Sequence, residues 1–257
     1  NQKKRIYLVS LVITHTLLAQ IVALHPVKVP DAQINHFENI ELNYSKEIAQ
    51  HAVNNGNLEF WALMKAFNPG ADDYNYLWVN VYKDIENAVG QAPWWDHAQA
   101  VVGVETSILY EGFSDLKTDR RYYYAMNQEI AAIAPAQYVI FNFASPENLN
   151  LILEQTKNIV IPHFKKNMAA SGMVGWGLGL KVTPQGTDYA SMMTYDAYDN
   201  LENVMKHLSG GAAISGLPQN KLEPIQWSMR PVMQVMGATT PTLNNKFLTP
   251  LGSTRGF

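Results

Sequence analysis

The 257-residue chain is 47% hydrophobic and 16% charged, with a formal net charge of −3 and no cysteine. This balance suits a soluble globular protein able to bury a proper core, and it offers no basic surface for nucleic acid. The missing thiols exclude a disulfide framework, a thiolate metal site and a cysteine nucleophile.

The chain opens on "NQKKR", a short cationic segment, followed by the apolar run "IYLVSLVITHTLL". Positive charge ahead of an apolar run of this length is the pattern of a secretory signal peptide. The run is too short for a comfortable membrane span. A leader over residues 1–23 is expected, cleaved near Ala19 or Ala23, with an exported product, periplasmic or extracellular, that keeps no stable membrane span. A buried first strand or helix is the alternative reading. Loss of residues 1–19 removes Lys3, Lys4 and Arg5 and no acid, which takes the net charge from −3 to −6.

Behind the leader, "VKV" reads as a strand, and Ile34, Phe37, Tyr44 and Ile48 recur at helical spacing up to a glycine, Gly56. "LEFWALMKAF" and "YNYLWVNVY" then read as strands, and "DIENAV" as a helix. Residues 91–136 form a helical or irregular connector in which "RRYYYAMN" is a candidate strand. "QYVIFNFA" begins a second set. "SPEN" follows, with Ser145 as N-cap and Pro146 at the first helical position. Leu149, Ile152, Leu153, Val160 and Phe164 continue that helix toward Gly172. "MVGWGLGLKV" and "YASMMTYDAY" are strands around the loop "TPQGTD", and Asp199 with Glu202 makes a capping box for a last helix. The tail "TPTLNNKFLTPLGSTRGF" is rich in Pro, Thr and Gly and reads as a surface wrap or mobile end.

The two sets are copies. "WALMKAFNPGADDY" from Trp61 and "WGLGLKVTPQGTDY" from Trp176 share Trp, Leu, Pro and Asp-Tyr at the same offsets. After one extra residue in the second copy, "YKDIENAV" matches "YDNLENVM". A sparse pattern recurring in order with its flanking elements indicates duplication. Each copy runs strand, helix, strand, strand, helix, the front of a split βαββαβ unit. "LEFWALMKAF" and "MVGWGLGLKV" are apolar on both faces, so each needs a cover on both sides: helices on one, the partner sheet on the other. The expected fold is α+β, with ferredoxin-like repeats at 24–90 and 137–210, the connector at 91–136 and an extension at 211–257.

On these residues the chain resembles the dimeric α/β-barrel superfamily, and within it exported bacterial proteins of uncharacterised function with two fused repeats. "WALMKAFNPGADDYNYLWVNVYKDIENA", its echo, and "IPHFKKNMAASGMVGWGL" carry the resemblance. It implies two ferredoxin-like units packed sheet to sheet as a pseudo-dimeric barrel in one chain. It implies no single reaction, because that superfamily holds oxygenases, haem enzymes, isomerases and proteins without known activity. The first copy lacks the Pro-His pair of the second.

Candidate ligand-binding residues lie on the strands. Tyr74, Tyr76, Trp78, Asn80 and Tyr82 share one face, opposite a counterpart set of Tyr189, Met193 and Tyr195. With Trp61 and Trp176 they suit a wall for a flat apolar or aromatic molecule; inter-sheet packing is the competing account. Gly175, Gly177 and Gly179 alternate and leave a trough that a ligand or protein side chains fill. His163 follows Pro162 near a helix end and is a candidate general base or axial haem ligand. Glu47, nine residues before Gly56 as His163 is before Gly172, is its acidic counterpart. Both also fit as helix-end residues facing water. No metal-site spacing occurs among the histidines. "WWDH" sets Asp96 beside His97. Arg120 and Arg121 offer a carboxylate contact or an inter-copy salt bridge. The function expected is binding of a small, largely apolar or aromatic molecule in or beside the barrel. Alternatives are a cofactor-independent monooxygenase or isomerase using His163, a haem-binding protein, and a structural or oligomerising module with a filled barrel.

Overall fold

A computed structural model describes residues 19–90 and 93–240. Most of the expected leader and the tail from residue 241 onward lie outside the described residues. In chain order the first half contains β1 (Ile21–Lys28), α1 (Ile34–Ile40), α2 (Lys46–Asn54), β2 (Phe60–Ala66), β3 (Tyr76–Tyr82), α3 (Ile85–Gly90), α4 (Ala98–Val102), α5 (Thr106–Leu109), β4 (Lys117–Thr118) and β5 (Tyr122–Ile130). The second contains β6 (Tyr138–Ala144), α6 (Leu149–Gln155), α7 (Ile161–Asn167), β7 (Met173–Thr183), β8 (Met192–Tyr198), α8 (Leu201–Leu208), β9 (Trp227–Met229) and β10 (Val232–Ala238).

Each half is a ferredoxin-like antiparallel sheet, ordered β5-β1-β3-β2 in the first and β10-β6-β8-β7 in the second. The sheets do more than face each other. β2 pairs with β10, and β5 pairs with β7, so both open edges are consumed and the eight strands close into a barrel. Closure removes the unpaired edge groups that would otherwise invite other strands. The fourth strand of each repeat therefore lies outside the spans 24–90 and 137–210: β5 is the "RRYYYAMN" segment of the connector, and β10 falls in the stretch read as an extension. The sequence repeat does not extend to these fourth strands.

Strand alternation sorts the side chains into layers. Val22, Phe60, Ala62, Leu77, Val79, Phe141, Met193 and Ala197 point inward and form one core from both repeats. Trp61, Leu63, Tyr76 and Tyr82 point outward under Phe37, Ile40, Ile48 and Ala52. In the second half Trp176, Leu178 and Tyr198 lie under Phe164, Met168 and Val204. The doubly apolar strands thus have both faces covered, by helices outside and by the opposite sheet within.

The helices repeat in detail. Between α1 and α2 the backbone widens into a π-turn at Glu41–Ser45, and between α6 and α7 into another at Thr156–Val160. Gly56 and Gly172 end the corresponding segments at φ +75° and +66°, a left-handed conformation that disfavours any side chain. Two helix caps expected from the sequence are corrected. Helix α6 begins at Leu149 and is capped by Asn148, which accepts from Leu151 N at 3.2 Å. Ser145 instead accepts from Ser191 N at 3.0 Å and ties β6 to the start of β8. Asn200, not Asp199, caps α8, accepting from Asn203 N at 2.9 Å. The asparagine nearest each helix start holds the first-turn N–H directly, so the upstream residue is free for other contacts.

Two candidate ligand cavities beside the barrel

Each repeat encloses a cavity between the outer face of its sheet and its helices. The first measures about 280 Å³ and is walled by Trp61, Trp78, Trp94, Trp95, Tyr110 and Phe113. Trp61 and Trp78 come from adjacent strands, with Trp61 opposite Asn80 across the β2–β3 ladder. Trp94 and Trp95 come from the short turn before α4, and their rings meet edge to face at 5.6 Å. The Trp94 indole donates to Asn80 Oδ1 at 3.1 Å, which fixes both at the cavity wall.

The polar centre of this cavity is Glu41. It is 3% exposed and sits at the first position of the π-turn, a backbone irregularity often found at functional sites. Trp78 Nε1 donates to its Oε2 at 2.8 Å, and Ser45 Oγ to its Oε1 at 3.1 Å. Ser45 Oγ is also 3.1 Å from the Tyr110 hydroxyl. Burial pushes the Glu41 carboxyl up to about 7, against the lowering by its two donors. Burial, reinforced by the Arg121 charge, holds the His25 imidazole below its usual value, against the pull of Asp119. His25 packs on Trp78 at 5.2 Å between ring centroids. Arg121 lies over the Trp95 ring at 5.1 Å. The arrangement offers flat apolar contact, one carboxyl able to exchange a proton near neutrality, and one cation.

The second cavity, about 310 Å³, has a different lining: Ile152, Phe164, Leu178 and Ile225 with Thr156, Thr194, Asp196, His207 and Arg230. Asp196 is 4% exposed. Asn142 Nδ2 donates to it at 2.7 Å, and His207 Nε2 stands 3.9 Å away. Burial drives both Asp196 and His207 toward their neutral forms.

The residues expected from the sequence fall in three places. Trp61, Trp78 and Asn80 line the first cavity, and Trp176 lines the second. Tyr76 shares the face but spends its hydroxyl on Glu38 Oε1 at 2.5 Å. Gly177 and Tyr195 face the barrel interior and pack on each other. The expected pairing of Tyr195 with the aromatic wall is thus corrected. The extra residue in the second copy shifts the strand by one, and a one-residue shift turns every side chain to the other face. The true counterparts of Tyr76, Trp78 and Asn80 are Met192, Thr194 and Asp196, as the matching positions of Trp61 and Trp176 require.

His163 and Glu47 line neither of these two cavities. His163 Nε2 is 3.1 Å from the Ile214 carbonyl, fastening the helix end to the following turn. Glu47 is exposed on α2. The inter-copy salt bridge considered for the arginines is also absent among the described residues: Arg120 reaches its neighbour Asp119 and lies over Tyr189, while Arg121 stacks on Trp95. Glu41, which sequence reasoning missed, does leave a signal. It occupies the apolar stripe of Ile34, Phe37, Tyr44 and Ile48, an acid where the helix faces the core. "WWDH" leaves another, through its two tryptophans and not its Asp-His pair.

No helix among the described residues is long and apolar enough to cross a membrane. No family model matches the chain, and no match to a curated protein is found. Solved structures do match. A candidate monooxygenase from Fusobacterium nucleatum superposes with a TM-score of 0.53 at 13% identity, over 86% of this chain and 94% of the other. A chlorite dismutase variant from Candidatus Nitrospira defluvii gives 0.51 at 8% identity, over 85% and 91%. A haem-binding protein from Thermus thermophilus gives 0.50 at 11% identity, over 86% and 92%. At these identities the likeness is one of fold.

Proposed function

We propose that this chain, a dimeric α/β barrel made from a single polypeptide, binds a compact, flat, largely apolar molecule in the cavity of its first repeat. The carrying observation is the convergence of six aromatic side chains on about 280 Å³ of space around Glu41. That volume is near the lower end of the roughly 300–1,000 Å³ typical of small-molecule pockets, which favours one to three fused rings over a macrocycle. Asn80, His25 and Arg121 would orient the polar end of such a ligand. The neighbours' descriptions as a candidate monooxygenase and a haem-binding protein support small-molecule binding in general terms.

Haem itself does not fit the residues first considered for it. The His163 ring nitrogen Nε2 is engaged by the Ile214 carbonyl, and the ring lines neither cavity. A second reading, cofactor-independent oxygenase or isomerase chemistry, is favoured by Glu41 in place of His163 and Glu47. A buried carboxyl balanced near neutrality is suited to take a proton from a bound ligand.

Tryptophan fluorescence is the direct test, since four indoles surround the cavity. Naphthol- or quinone-sized compounds are expected to quench emission and raise the melting temperature, and Trp78→Ala is expected to weaken the best of them about tenfold or more. A panel that neither quenches nor stabilises, with nothing small carried through native purification, would remove the binding reading. Turnover of a bound compound that survives Glu41→Gln would remove the enzymatic one.

The location that accompanies this reading is export. Supporting it are the cationic start and the apolar run behind it. Ala23 lies within β1 and is 1% exposed, whereas a cut after Ala19 leaves β1 whole. Expression of the full chain in a bacterial host should yield a mature protein beginning at Gln20 in the periplasm or medium. An uncleaved cytoplasmic product would contradict it.

A further inference from the structure

Strand register relates the two cavities residue by residue. In the first repeat Ala23 stands opposite both Asn80 and Tyr123, and His25 stands opposite Trp78. In the second, Ile140 stands opposite both Asp196 and Val232, and Asn142 stands opposite Thr194. Tyr123 and Val232 are therefore equivalent, and two residues before each comes an arginine, Arg121 and Arg230. The sequence repeat gives no hint of this pair, because the spacing from each tryptophan differs. Each arginine lines its own cavity. Each also lies over a tryptophan, Arg121 over Trp95 at 5.1 Å and Arg230 over Trp227 at 5.9 Å. Neither has a carboxylate within ion-pair distance among the described residues.

The two cations are placed alike, each beside a tryptophan and outside ion-pair distance of a carboxylate among the described residues; the Arg230 charge also acts on the buried Asp196, to which Asn142 connects it. Arg230 Nε donates to Asn142 Oδ1 at 2.7 Å, anchoring the guanidinium to the cavity wall. That bond leaves the two Nη groups, a fork suited to bidentate contact with a carboxylate. Around it the chemistry has changed between copies. Thr194 replaces Trp78, Thr156 occupies the π-turn position of Glu41, and Ile152, Leu178 and Ile225 provide aliphatic wall. Asp196 lies buried on the floor while Arg230 is exposed at the mouth. Glu223, also at the mouth, is exposed to water, and burial keeps the Asp196 carboxyl toward its neutral form.

We propose that the second repeat holds a second ligand site, for a compact aliphatic carboxylate whose head group is held by Arg230 and whose chain enters the apolar cavity. The site is independent of what the first cavity binds.

Octanoate and 1-octanol form a matched pair of probes, alike in chain and different in charge. Calorimetric titration of the intact protein is expected to show octanoate binding tighter than octanol. Arg230→Gln should weaken octanoate at least about tenfold and leave octanol unchanged, while Arg121→Gln should alter neither. High salt should weaken octanoate alone, a comparison on the unsubstituted protein that decides the matter if Arg230→Gln fails to fold. Equal affinity for acid and alcohol, no binding of octanoate at millimolar concentration, or sensitivity to Arg121→Gln in place of Arg230→Gln would each overturn the assignment.

Discussion

Replacing Gly177 by valine is expected to destabilise the barrel by about 3 kcal/mol or more, near the upper limit for overpacking. A Cβ at this position would lie 2.4 Å from Tyr195 Cε1 and 2.7 Å from Met126 Cε. Met126 can swing its terminal methyl aside, but a tyrosine ring held between strands of both repeats has no such freedom. Neighbouring glycines set the scale. At Gly175 the nearest atom to an added Cβ is Ala132 Cβ at 3.4 Å, and at Gly179 it is Tyr124 Cβ at 3.0 Å. Gly175→Ala should therefore cost less than about 1 kcal/mol, partly offset by the stiffer unfolded chain, with Gly179→Ala between. Urea denaturation measures the series. Similar losses at all three positions would mean that the trough is not filled by Tyr195 and Met126.

The second large effect concerns Glu41 and is visible only as a function of pH. Its carboxyl is held at about 7 in the folded protein, against roughly 4.3 for an unperturbed glutamate. A raised folded value means that the group's contribution to stability is full below about pH 4.3, declines as pH rises, and is flat again above about pH 7. Glutamine cannot ionise, yet its amide oxygen can still accept from Trp78. Compared at pH 4 the Glu41→Gln protein and the unsubstituted protein, both freed of ligand, should be similar. At pH 8 the variant should be the more stable by roughly 3.7 kcal/mol, from about 1.36 kcal/mol per pKa unit. A stability difference that does not change between these pH values would show that Glu41 is not desolvated in solution, and with it would go the case for a proton acceptor in the first cavity.

These two positions differ in how far the sequence alone reaches them. The alternation at Gly175, Gly177 and Gly179 is local, and it states without tertiary information that three missing side chains share a face. What fills the gap depends on Tyr195 and Met126, which arrive from other strands. Glu41 is likewise marked by its place in a helical apolar stripe, but nothing local tells whether the stripe meets a packed core or a cavity. His163 and Glu47 pose a related question: both stand near helix ends, where sequence does not separate a residue turned inward from one spent on a neighbouring carbonyl.

By itself the sequence determined the duplication, the ferredoxin-like order of strands and helices within each copy, and the need to cover both strand faces. All of these are written in short-range periodicity and in patterns that survive copying. Tertiary structure decided the rest. It alone joins β2 to β10 and β5 to β7, brings Thr239 to Trp61 through hydrogen bonds at 2.9 Å, and sets Arg121 and Arg230 at equivalent mouths. Edge pairing and cavity shape arise from contacts between distant segments, and such contacts are selected by the energy of the whole packed chain, which no local pattern encodes.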